Sequence, residues 1–485
     1  AEIAGVFADV LHLDGDAVGS GDDFFALGGD SIVAITVVNR LRRRGLLVDV
    51  RELFEQRTVA ALAAVVRRDT KTASDDVAER PPPLPRPPAV AQLAARPGRW
   101  QSLAQASTVA GPATVTADDI RRALDAVIAR HEALRLRVTS TVPGVWSVQP
   151  VAVQSFDTTD ILTVHQITDP TPEAFARIAA DTHARLDPTT HGTITAAAVF
   201  ADGEHVRLVL VIHHLAVDAV SWRILLDDLA DAADAVAADV DAADKPPALP
   251  SPAVPYSRYA DAMSELAAAP STMAELTRWR TLLARSVPIT DARDFGVQAD
   301  LITTAITLDE EHTRRYLSAE SVTAAVIADS GSAITAWRTG AGHTAGPVLI
   351  DVERHGRDLG DLDLSRTVGW LTTVTPVLFD PAGDDPAASD PAASDPAGPI
   401  ADELGRPGHS YGLLRHCNAR TARALARAPR AQVLVNYLGI MVLSGGGRGE
   451  PAPESAWTRT PPPAGPGPHY AITPDPRAER APGDR

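Results

Sequence analysis

A run of prolines divides the chain into a small unit and a large unit. The stretch RPPPLPRPP at residues 80–88 forces an extended backbone, because proline fixes φ and removes the amide donor that helices and sheets require. We therefore expect a linker over residues 71–88, a small unit at residues 1–70 and a large unit from residue 89 onward. The length of 485 residues exceeds what one core ordinarily organises, which also favours several domains.

Two further segments are too polar to build a core. The repeat DPAGDDPAASDPAASDPAG at residues 380–398 is expected to form a loop inserted into the large unit. Residues 444–485 are rich in Gly, Pro and Arg, follow no helical or strand period, and are expected to form a disordered tail. We divide the large unit into a first lobe at residues 89–255 and a second lobe at residues 256–443.

Hydrophobic periodicity predicts different architectures for the two units. The small unit reads as four helices, a bundle too small to enclose a catalytic cleft, at residues 1–13, 31–44, 49–55 and 58–67. In the large unit predicted helices alternate with strands, which favours an α/β architecture. Its predicted helices cover residues 120–130, 173–185, 221–238, 273–285, 321–337 and 419–427, and its predicted strands cover residues 206–213, 347–353, 372–379 and 431–437.

Composition argues against several classes of function. The net charge is −17 and the basic residues are dispersed, whereas nucleic-acid binding requires a concentrated basic surface. No apolar run reaches the roughly 18 residues of a membrane helix, and no signal peptide opens the chain. Cys417 is the only cysteine, so no disulfide forms within the chain, and we expect a cytoplasmic protein. The chain starts at Ala1 inside a predicted helix, and we expect it to be cut from a longer protein.

Ser31 is the best-placed residue of the small unit for carrying a phosphodiester. It follows FFALGGD and opens the predicted helix at residues 31–44, where free N–H groups and the positive end of the helix dipole favour an anion. The two glycines before it permit a close approach. Serine is also a good N-cap, and position alone leaves both readings open.

Two adjacent histidines end a β-forming run in VIHHLAVD at residues 211–218. Side chains alternate along a strand, so His213 and His214 cannot both face one cleft, and one of them is expected to be structural. A neutral imidazole is suited to proton transfer near neutral pH. A hydrogen-bonded core histidine is the alternative for either ring.

These motifs together resemble those of non-ribosomal peptide synthetases. FFALGGDS with the later DVRELFEQRTVAALA resembles a peptidyl carrier domain over nearly all of residues 1–70. HHLAVDAVSWRILLDDL resembles the HHxxxD signature of condensation and epimerization domains. Over about residues 110–440 the family's further motifs follow in order as ARHEALRLRV, DVERHGRD, LSRTVGWLTTVTPV, SYGLLRHCN and VLVNYLG. The SWRILLDDL, VGW and NYLG segments favour the epimerization branch over the condensation branch.

The resemblance implies a small all-α four-helix carrier joined to a two-lobed α/β domain of the chloramphenicol acetyltransferase fold. It implies 4′-phosphopantetheine on Ser31, attached by a phosphopantetheinyl transferase, and an active site in a channel between the lobes. His214 would transfer a proton and Asp218 would hold the loop in shape. Glu353, in a motif usually read EGHGRE, would be the second proton-transfer group. Arg354 replaces the usual glycine after it and is expected to bring a cation next to the base.

Asn436 and Tyr437 are expected to line the same cavity, where an amide or hydroxyl group would stabilise the charge that develops on the substrate. Each assignment has an ordinary alternative. A glutamate at a strand end is commonly solvated or paired with a cation, and a strand tyrosine is as readily packed in the core. No metal, flavin or pyridoxal cofactor is implied.

The implied function is epimerization, from L to D, of an aminoacyl or peptidyl residue carried as a thioester. The implied partners are a carrier-bound peptide, an upstream adenylation domain and a downstream condensation domain. One rival is condensation, which forms a peptide bond. The other is a carrier fused to an inactive epimerization-like docking scaffold. This rival arises because the segment resembling PIQxWF is shortened and the motifs stop at NYLG, so we expect a truncated second lobe.

Overall fold

The computed structural model describes the chain in segments separated by gaps. The residues described are 2–11, 13, 18–29, 31–68, 83–95, 100–101, 103–112, 114–142, 145–156, 158–169, 171–190, 192–201, 205–238, 247, 249–250, 252, 254–290, 304, 306–319, 321–381, 397–437, 440–442 and 478–480. None of the helices within these segments is long and apolar enough to cross a membrane.

Within its described residues the small unit is a helical bundle, as predicted. Phe7, Phe24 and Leu53 are fully buried at its centre. Local signals start the later helices: Asp49 and Glu52 form a capping box in which each side chain accepts a hydrogen bond from the other's backbone N–H. The helices are Glu2–Leu11, Ser31–Arg43, Val50–Gln56 and Val59–Val65, and a short strand Leu46–Leu47 pairs with Arg67–Arg68.

The first lobe is built on a four-stranded sheet with both faces covered. One face, which includes Leu208 and Leu210, lies in the main core, and the other face, which includes Val209 and Val211, packs on a helix. Burial on both faces explains why LVLVI at residues 208–212 is a continuous apolar run rather than an alternating one. The strands lie in the order Ala104–Pro112, His205–His213, Ile194–Ala201 and Leu162–Ile167. The last two strands run parallel to each other, and the other neighbouring pairs run antiparallel.

Further elements complete the first lobe. Thr116 and Asp119 form a capping box that starts the first long helix of the lobe. The helices are Pro88–Ala94, Ala117–Arg130, Pro172–Ala184 and Ala219–Ala238, and an antiparallel hairpin joins Leu136–Val142 to Val145–Pro150. Short 3₁₀ turns lie at Glu132–Arg135, Val153–Ser155 and His214–Ala216.

The second lobe contains a three-stranded sheet among its described residues. Its central strand Val348–Arg354 pairs antiparallel with Thr373–Phe379 and parallel with Val433–Val435. Gly331 lies against the ring of Phe379, where a Cβ atom would come within 2.3 Å of the ring. The helices of this part are Tyr256–Ala268, Pro270–Ala284, Glu310–Leu317, Val322–Gly340, Ala397–Leu404, Ser410–Gly412 with a π turn at Leu413–Cys417, and Ala419–Leu425.

The core of the first lobe extends beyond the boundaries expected from the sequence. Tyr259 and Met263 of helix Tyr256–Ala268 are buried in that core although they follow residue 255. At the other boundary, Leu84 of the expected linker is buried, and its backbone N–H donates to the carbonyl of Val148 at 2.8 Å. The end of the proline-rich stretch therefore belongs structurally to the large unit. Residues 71–82 of the expected linker lie outside the described residues, as do residues 69–70 before it.

Sequence periodicity missed several elements of the large unit. The strands at residues 104–112, 136–142, 145–150, 162–167 and 194–201 were not predicted, and the predicted helix at residues 273–285 is the second of two consecutive helices. Residues 382–396 of the expected inserted loop lie outside the described residues. So do residues 444–477 and 481–485 of the expected tail, whose described part, Ala478–Arg480, is a strand parallel to Ile440–Val442.

Candidate active site

His213 is the buried member of the histidine pair. The strand His205–His213 ends here and a 3₁₀ turn begins at His214, so the alternation of the strand does not extend to the second ring. The Nε2–H group of His213 donates to the carbonyl of Trp100 at 2.8 Å, and its Nδ1 accepts from the N–H of Leu215 at 3.1 Å. Burial lowers the pKa of His213 to about 4. Both ring nitrogens are occupied, so His213 holds the turn as a neutral ring.

His214 is half-buried and presents one ring nitrogen as a base. Its Nδ1 lies 2.9 Å from the carbonyl of Val217, and because a carbonyl only accepts, Nδ1 carries the hydrogen. Nε2 is then unprotonated, and it lies 3.1 Å from the amide nitrogen of Gln105. The indole of Trp370 covers the ring, with centroids 4.2 Å apart. Burial lowers the pKa of His214, although the charge of Asp218 acts in the opposite direction.

Asp218 is a buried carboxylate with a full set of donors. Both carboxylate oxygens accept from the guanidinium of Arg357, at 2.9 and 3.0 Å, and the backbone N–H groups of Ser221 and Leu371 add hydrogen bonds at 2.8 and 3.0 Å. Burial alone would raise the pKa of Asp218, but the charge and hydrogen bonds of Arg357 outweigh it and lower the pKa. Asp218 is therefore a fixed anion that joins three segments of chain.

Glu353 lies near the end of strand Val348–Arg354, opposite Val374, and is half-buried. The neighbouring Arg354 occupies the opposite face of the strand, because successive side chains alternate. Its guanidinium donates to the carbonyl of Arg406 at 2.7 Å and lies 3.4 Å from Asp358. The cation expected beside Glu353 is thus directed to another set of partners.

Asn436 and Tyr437 directly follow strand Val433–Val435, and both are half-buried. This strand runs parallel to the one that carries Glu353, with Val435 opposite Val352. Because the carboxyl ends of parallel strands meet at one edge of a sheet, these two residues and Glu353 emerge at the same edge. The candidate residues thus form two groups, one in each lobe, and the ion pair between Asp218 and Arg357 connects them.

Comparison with known proteins identifies the large unit. The family described as Condensation domain matches residues 102–391. The chain belongs to the condensation-domain family. A second family, described as Phosphopantetheine attachment site, matches residues 1–66, so the small unit is a carrier domain and its cofactor is covalently bound 4′-phosphopantetheine.

Relatives of this condensation-family chain are large synthases. Chondramide synthase cmdD from Chondromyces crocatus is 30% identical over 458 residues, which are 90% of this chain and 11% of that protein. A linear gramicidin synthase from Brevibacillus parabrevis is 30% identical over 456 residues, which are 90% of this chain and 8% of that protein. The chain therefore spans about a tenth of the length of these relatives.

Solved structures confirm the expected fold of this condensation-family chain. The epimerization domain from the third module of tyrocidine synthetase B superposes with a TM-score of 0.65 at 18% identity, covering 84% of this chain and 91% of that one. A condensation domain that mediates chain release from the enacyloxin polyketide synthase gives a TM-score of 0.54 at 19% identity, covering 92% and 88%. The helical carrier followed by a two-lobed α/β unit is the architecture predicted from the sequence.

The carrier domain docks on the condensation-family unit through helix Ser31–Arg43. The amide of Asn39 donates to the backbone carbonyl of Ser365 at 2.9 Å. Arg42 donates to the hydroxyl of Ser365 at 2.8 Å and forms an ion pair with Asp363. Side chains of this pair are only 14% and 23% exposed, so the contact is shielded from solvent more than an ordinary surface pair.

The docking face of the carrier helix includes the position of Ser31. Ile35 on this helix is 1% exposed and lies in the hydrophobic core of the large unit. Positions 31, 35, 39 and 42 are separated by four, four and three residues, which is the spacing of one helical face. Gly29, two residues before the helix, leaves no room for a side chain, because a Cβ atom there would come within 2.3 Å of the ring of Phe24.

The segment contacted by the carrier is anchored internally by a buried cluster. Arg366 donates to both oxygens of Asp228 at 2.6 Å, and Asp228 also accepts from Nε2–H of His131 at 2.8 Å. Burial would raise the pKa of Asp228, but His131 and Arg366 lower it to about 2. Burial lowers the pKa of His131, so we assign the positive charge of the cluster to Arg366.

Four residues that contact the candidate site were not singled out from the sequence. Gln105, Trp222, Arg357 and Trp370 contact His214 or Asp218 directly or through one another. The motifs DVERHGRD and VGW contain Arg357 and Trp370, so a motif-based search had a signal for these two. Gln105 lies on a strand that periodicity missed, and nothing local marks it.

Proposed function

We propose that this chain epimerizes the α-carbon of a residue held on its own carrier domain. The bound 4′-phosphopantetheine would hold that residue as a thioester, which makes the α-hydrogen more acidic than an amide would. The single observation that carries the proposal is the state of His214. Its Nδ1–H is fixed on a backbone carbonyl, which leaves Nε2 as an unprotonated base beside the junction of the lobes.

In the proposed reaction Nε2 of His214 accepts the α-proton from one face of the substrate. The carboxyl group of Glu353 delivers a proton to the other face, and Asn436 and Tyr437 donate hydrogen bonds to the charge that develops. Asp218 takes no part in proton transfer, because Arg357 keeps it ionised. Ser31 is the proposed point of attachment, since it opens the helix Ser31–Arg43, which contacts the large unit through Asn39 and Arg42.

The epimerization branch is favoured over others by sequence and by relatives. SWRILLDDL after the histidine pair, VGW at residues 368–370 and NYLG at residues 436–439 are typical of that branch. The structure with a TM-score of 0.65 is an epimerization domain, and the relatives include a linear gramicidin synthase, which supports a carrier-bound aminoacyl or peptidyl substrate. We propose that a phosphopantetheinyl transferase, an adenylation domain and a condensation domain are its partners.

The test is a racemisation and exchange assay on the intact chain. The carrier is loaded with an L-aminoacyl pantetheine in heavy water, and the released amino acid is analysed for D-isomer and for deuterium at the α-carbon. We expect both in the wild type, neither in Ser31→Ala, and a loss of at least about 100-fold in His214→Gln and Glu353→Gln. His343→Gln and Glu311→Gln, at exposed positions, are the matched controls. Exchange at the wild-type rate in Glu353→Gln would remove that residue from the mechanism.

Condensation is the second candidate, because the matched family is described by that activity. The same Nε2 atom would then take a proton from an attacking amine. The two functions separate with a single loaded carrier, since condensation needs a second, amine-bearing substrate. An inactive docking scaffold would show neither reaction while still holding the carrier helix.

A further inference from the structure

The amide of Gln105 has a fixed orientation beside His214. The indole Nε1–H of Trp222 donates to Oε1 of Gln105 at 2.6 Å, and an indole nitrogen is a donor only. The carbonyl end of the amide must therefore face Trp222. The NH₂ end then faces Nε2 of His214 at 3.1 Å and donates to its lone pair. The orientation follows from the chemistry of the two neighbours.

Backbone hydrogen bonds hold Trp222, Gln105 and His214 in place relative to one another. Gln105 lies opposite Ile212 in the sheet, and the N–H of His214 donates to the carbonyl of Leu103 at 2.8 Å. The backbone N–H of Trp222 donates to the carbonyl of Asp218 at 3.0 Å, which starts the helix Ala219–Ala238. A strand, a turn and a helix thus fix a series of two hydrogen bonds, in which Trp222 donates to Gln105 and Gln105 donates to Nε2 of His214.

Protonation of Nε2 of His214 would break this series of hydrogen bonds. The imidazolium N–H would then face the NH₂ group of Gln105, donor against donor. A flipped amide would relieve that contact but would set its NH₂ group against the indole N–H of Trp222. Either orientation leaves one pair of donors facing each other in a half-buried site, which costs about 1–3 kcal/mol for each unsatisfied group.

The charged neighbours of His214 do not cancel this effect. Asp218 is the carboxylate that favours the protonated ring, and its charge is shared with Arg357. His213 is the adjacent titratable ring and is neutral in its buried position. The indole of Trp370, which is uncharged, covers one face of the His214 ring.

We propose that Gln105, oriented by Trp222, is a positioning residue that keeps Nε2 of His214 unprotonated, leaves the Nε2 lone pair when the substrate binds, and makes the protonated ring a short-lived donor. This inference rests on the proposed function and adds to it a residue that controls the protonation state of the base. After each inversion the proton taken from the α-carbon sits on Nε2, and Glu353 has lost its own. The next turnover requires that Nε2 release its proton to water and that Glu353 take one up from water, and Gln105 favours the release from Nε2.

The test replaces the donor with an acceptor. In Gln105→Glu one carboxylate oxygen still accepts from Trp222 and the other accepts from the imidazolium, so the protonated ring gains a partner. We expect the pKa of His214 to rise by about 1–3 units, the range for an opposite charge at this distance. The readout is NMR titration of ¹⁵N-histidine-labelled protein carrying Ser31→Ala, with the resonance assigned through His214→Gln.

A second variant covers the case in which the new carboxylate unfolds the protein. Trp222→Phe removes the indole donor, so Gln105 is free to turn its oxygen toward the imidazolium, and the pKa of His214 is again expected to rise. Gln101→Glu, an exposed position four residues away, is the control for added charge, and Trp337→Phe is the control for loss of an indole. A new carboxylate beside the ring raises its pKa by charge alone, so Trp222→Phe, which adds no charge, decides the role of the amide, and a purely structural role for Gln105 predicts no movement of the titration in that variant.

The outcomes separate the two proposals. A His214 titration that stays at its wild-type position in folded Gln105→Glu or in folded Trp222→Phe overturns the role of Gln105, whatever the exchange assay gives. A titration that moves in both variants while the wild type exchanges no α-proton overturns the proposed reaction and leaves the Gln105 contact established. In the active enzyme we expect the acidic limb of the pH–rate profile to move with the titration.

Discussion

Arg357 donates to both carboxylate oxygens of Asp218, at 2.9 and 3.0 Å, in a site where the two side chains are 1% and 3% exposed. Asp218 lies four residues after His214, and Arg357 lies four residues after Glu353. One buried ion pair therefore fixes the two motifs proposed to transfer protons, although they come from different lobes.

Removal of one partner of this pair is expected to destabilise the large unit strongly. Arg357→Ala leaves a buried carboxylate without its cation and should lower the free energy of unfolding by about 3–5 kcal/mol, measured by urea denaturation. Arg258→Ala, whose partner Glu265 is exposed, should cost less than about 1 kcal/mol. If the two variants lost similar stability, the bonds to Asp218 would not form in solution.

Trp370 is expected to affect activity more than stability. Its ring covers His214 at a centroid distance of 4.2 Å and is itself half-buried. Trp370→Ala should free the imidazole to rotate and lower the α-proton exchange rate by about 10- to 100-fold. The matched control is Trp337→Ala at a position that is 57% exposed. Unchanged exchange in Trp370→Ala would show that stacking does not orient the base.

Stability is expected to fall as the pH falls from about 6.5 toward 4. His213 is neutral in the folded state, with a pKa of about 4, whereas the unfolded chain binds a proton near pH 6.5. The unfolded state holds more protons in this window, so acidification favours it, by up to about 3 kcal/mol for this ring. His131, His214, His355 and His409, whose pKa values are also lowered by burial, act in the same direction.

His213→Asn checks the assignment of that pH dependence. The amide oxygen can replace Nδ1 as acceptor for Leu215, while the donor to Trp100 is lost, so the variant should be less stable at pH 7.5. Its stability should change less with pH between 6.5 and 4 than that of the wild type. Parallel curves for the two proteins would mean that His213 is protonated in the folded state as readily as in the unfolded chain.

The carrier contact is expected to respond to charge reversal. Arg42→Glu places two acidic groups together at Asp363 and should slow exchange on the cis carrier by about 3- to 10-fold. The double variant Arg42→Glu with Asp363→Arg should recover part of the rate. Arg44→Glu, which removes an exposed pair with Asp9, is the control. Equal rates in all variants would exclude this docked geometry from the reaction cycle.

Sequence reasoning singled out those residues of the candidate site that a local pattern marks. His213 and His214 stand out because two titratable rings follow a β-branched run, and Ser31 because two glycines precede a helix. The strand Ile194–Ala201 was missed because ITAAAVFA is rich in alanine, which favours helices; pairing with strands on both sides overrides that preference. The partnership of Gln105 with Trp222 joins residues 117 positions apart, so no local pattern contains it.

The segment from Arg357 to Leu371 has an unusual position in the molecule. Its middle receives the carrier helix at Asp363 and Ser365, and its end places an indole on the imidazole of His214. Between these points Arg366 is tied into the interior, so the segment has little freedom to absorb a displacement locally. Undocking of the carrier is therefore expected to change the position of Trp370 and of the His214 ring beneath it. Mutations that destabilise this segment should impair both carrier docking and the reaction.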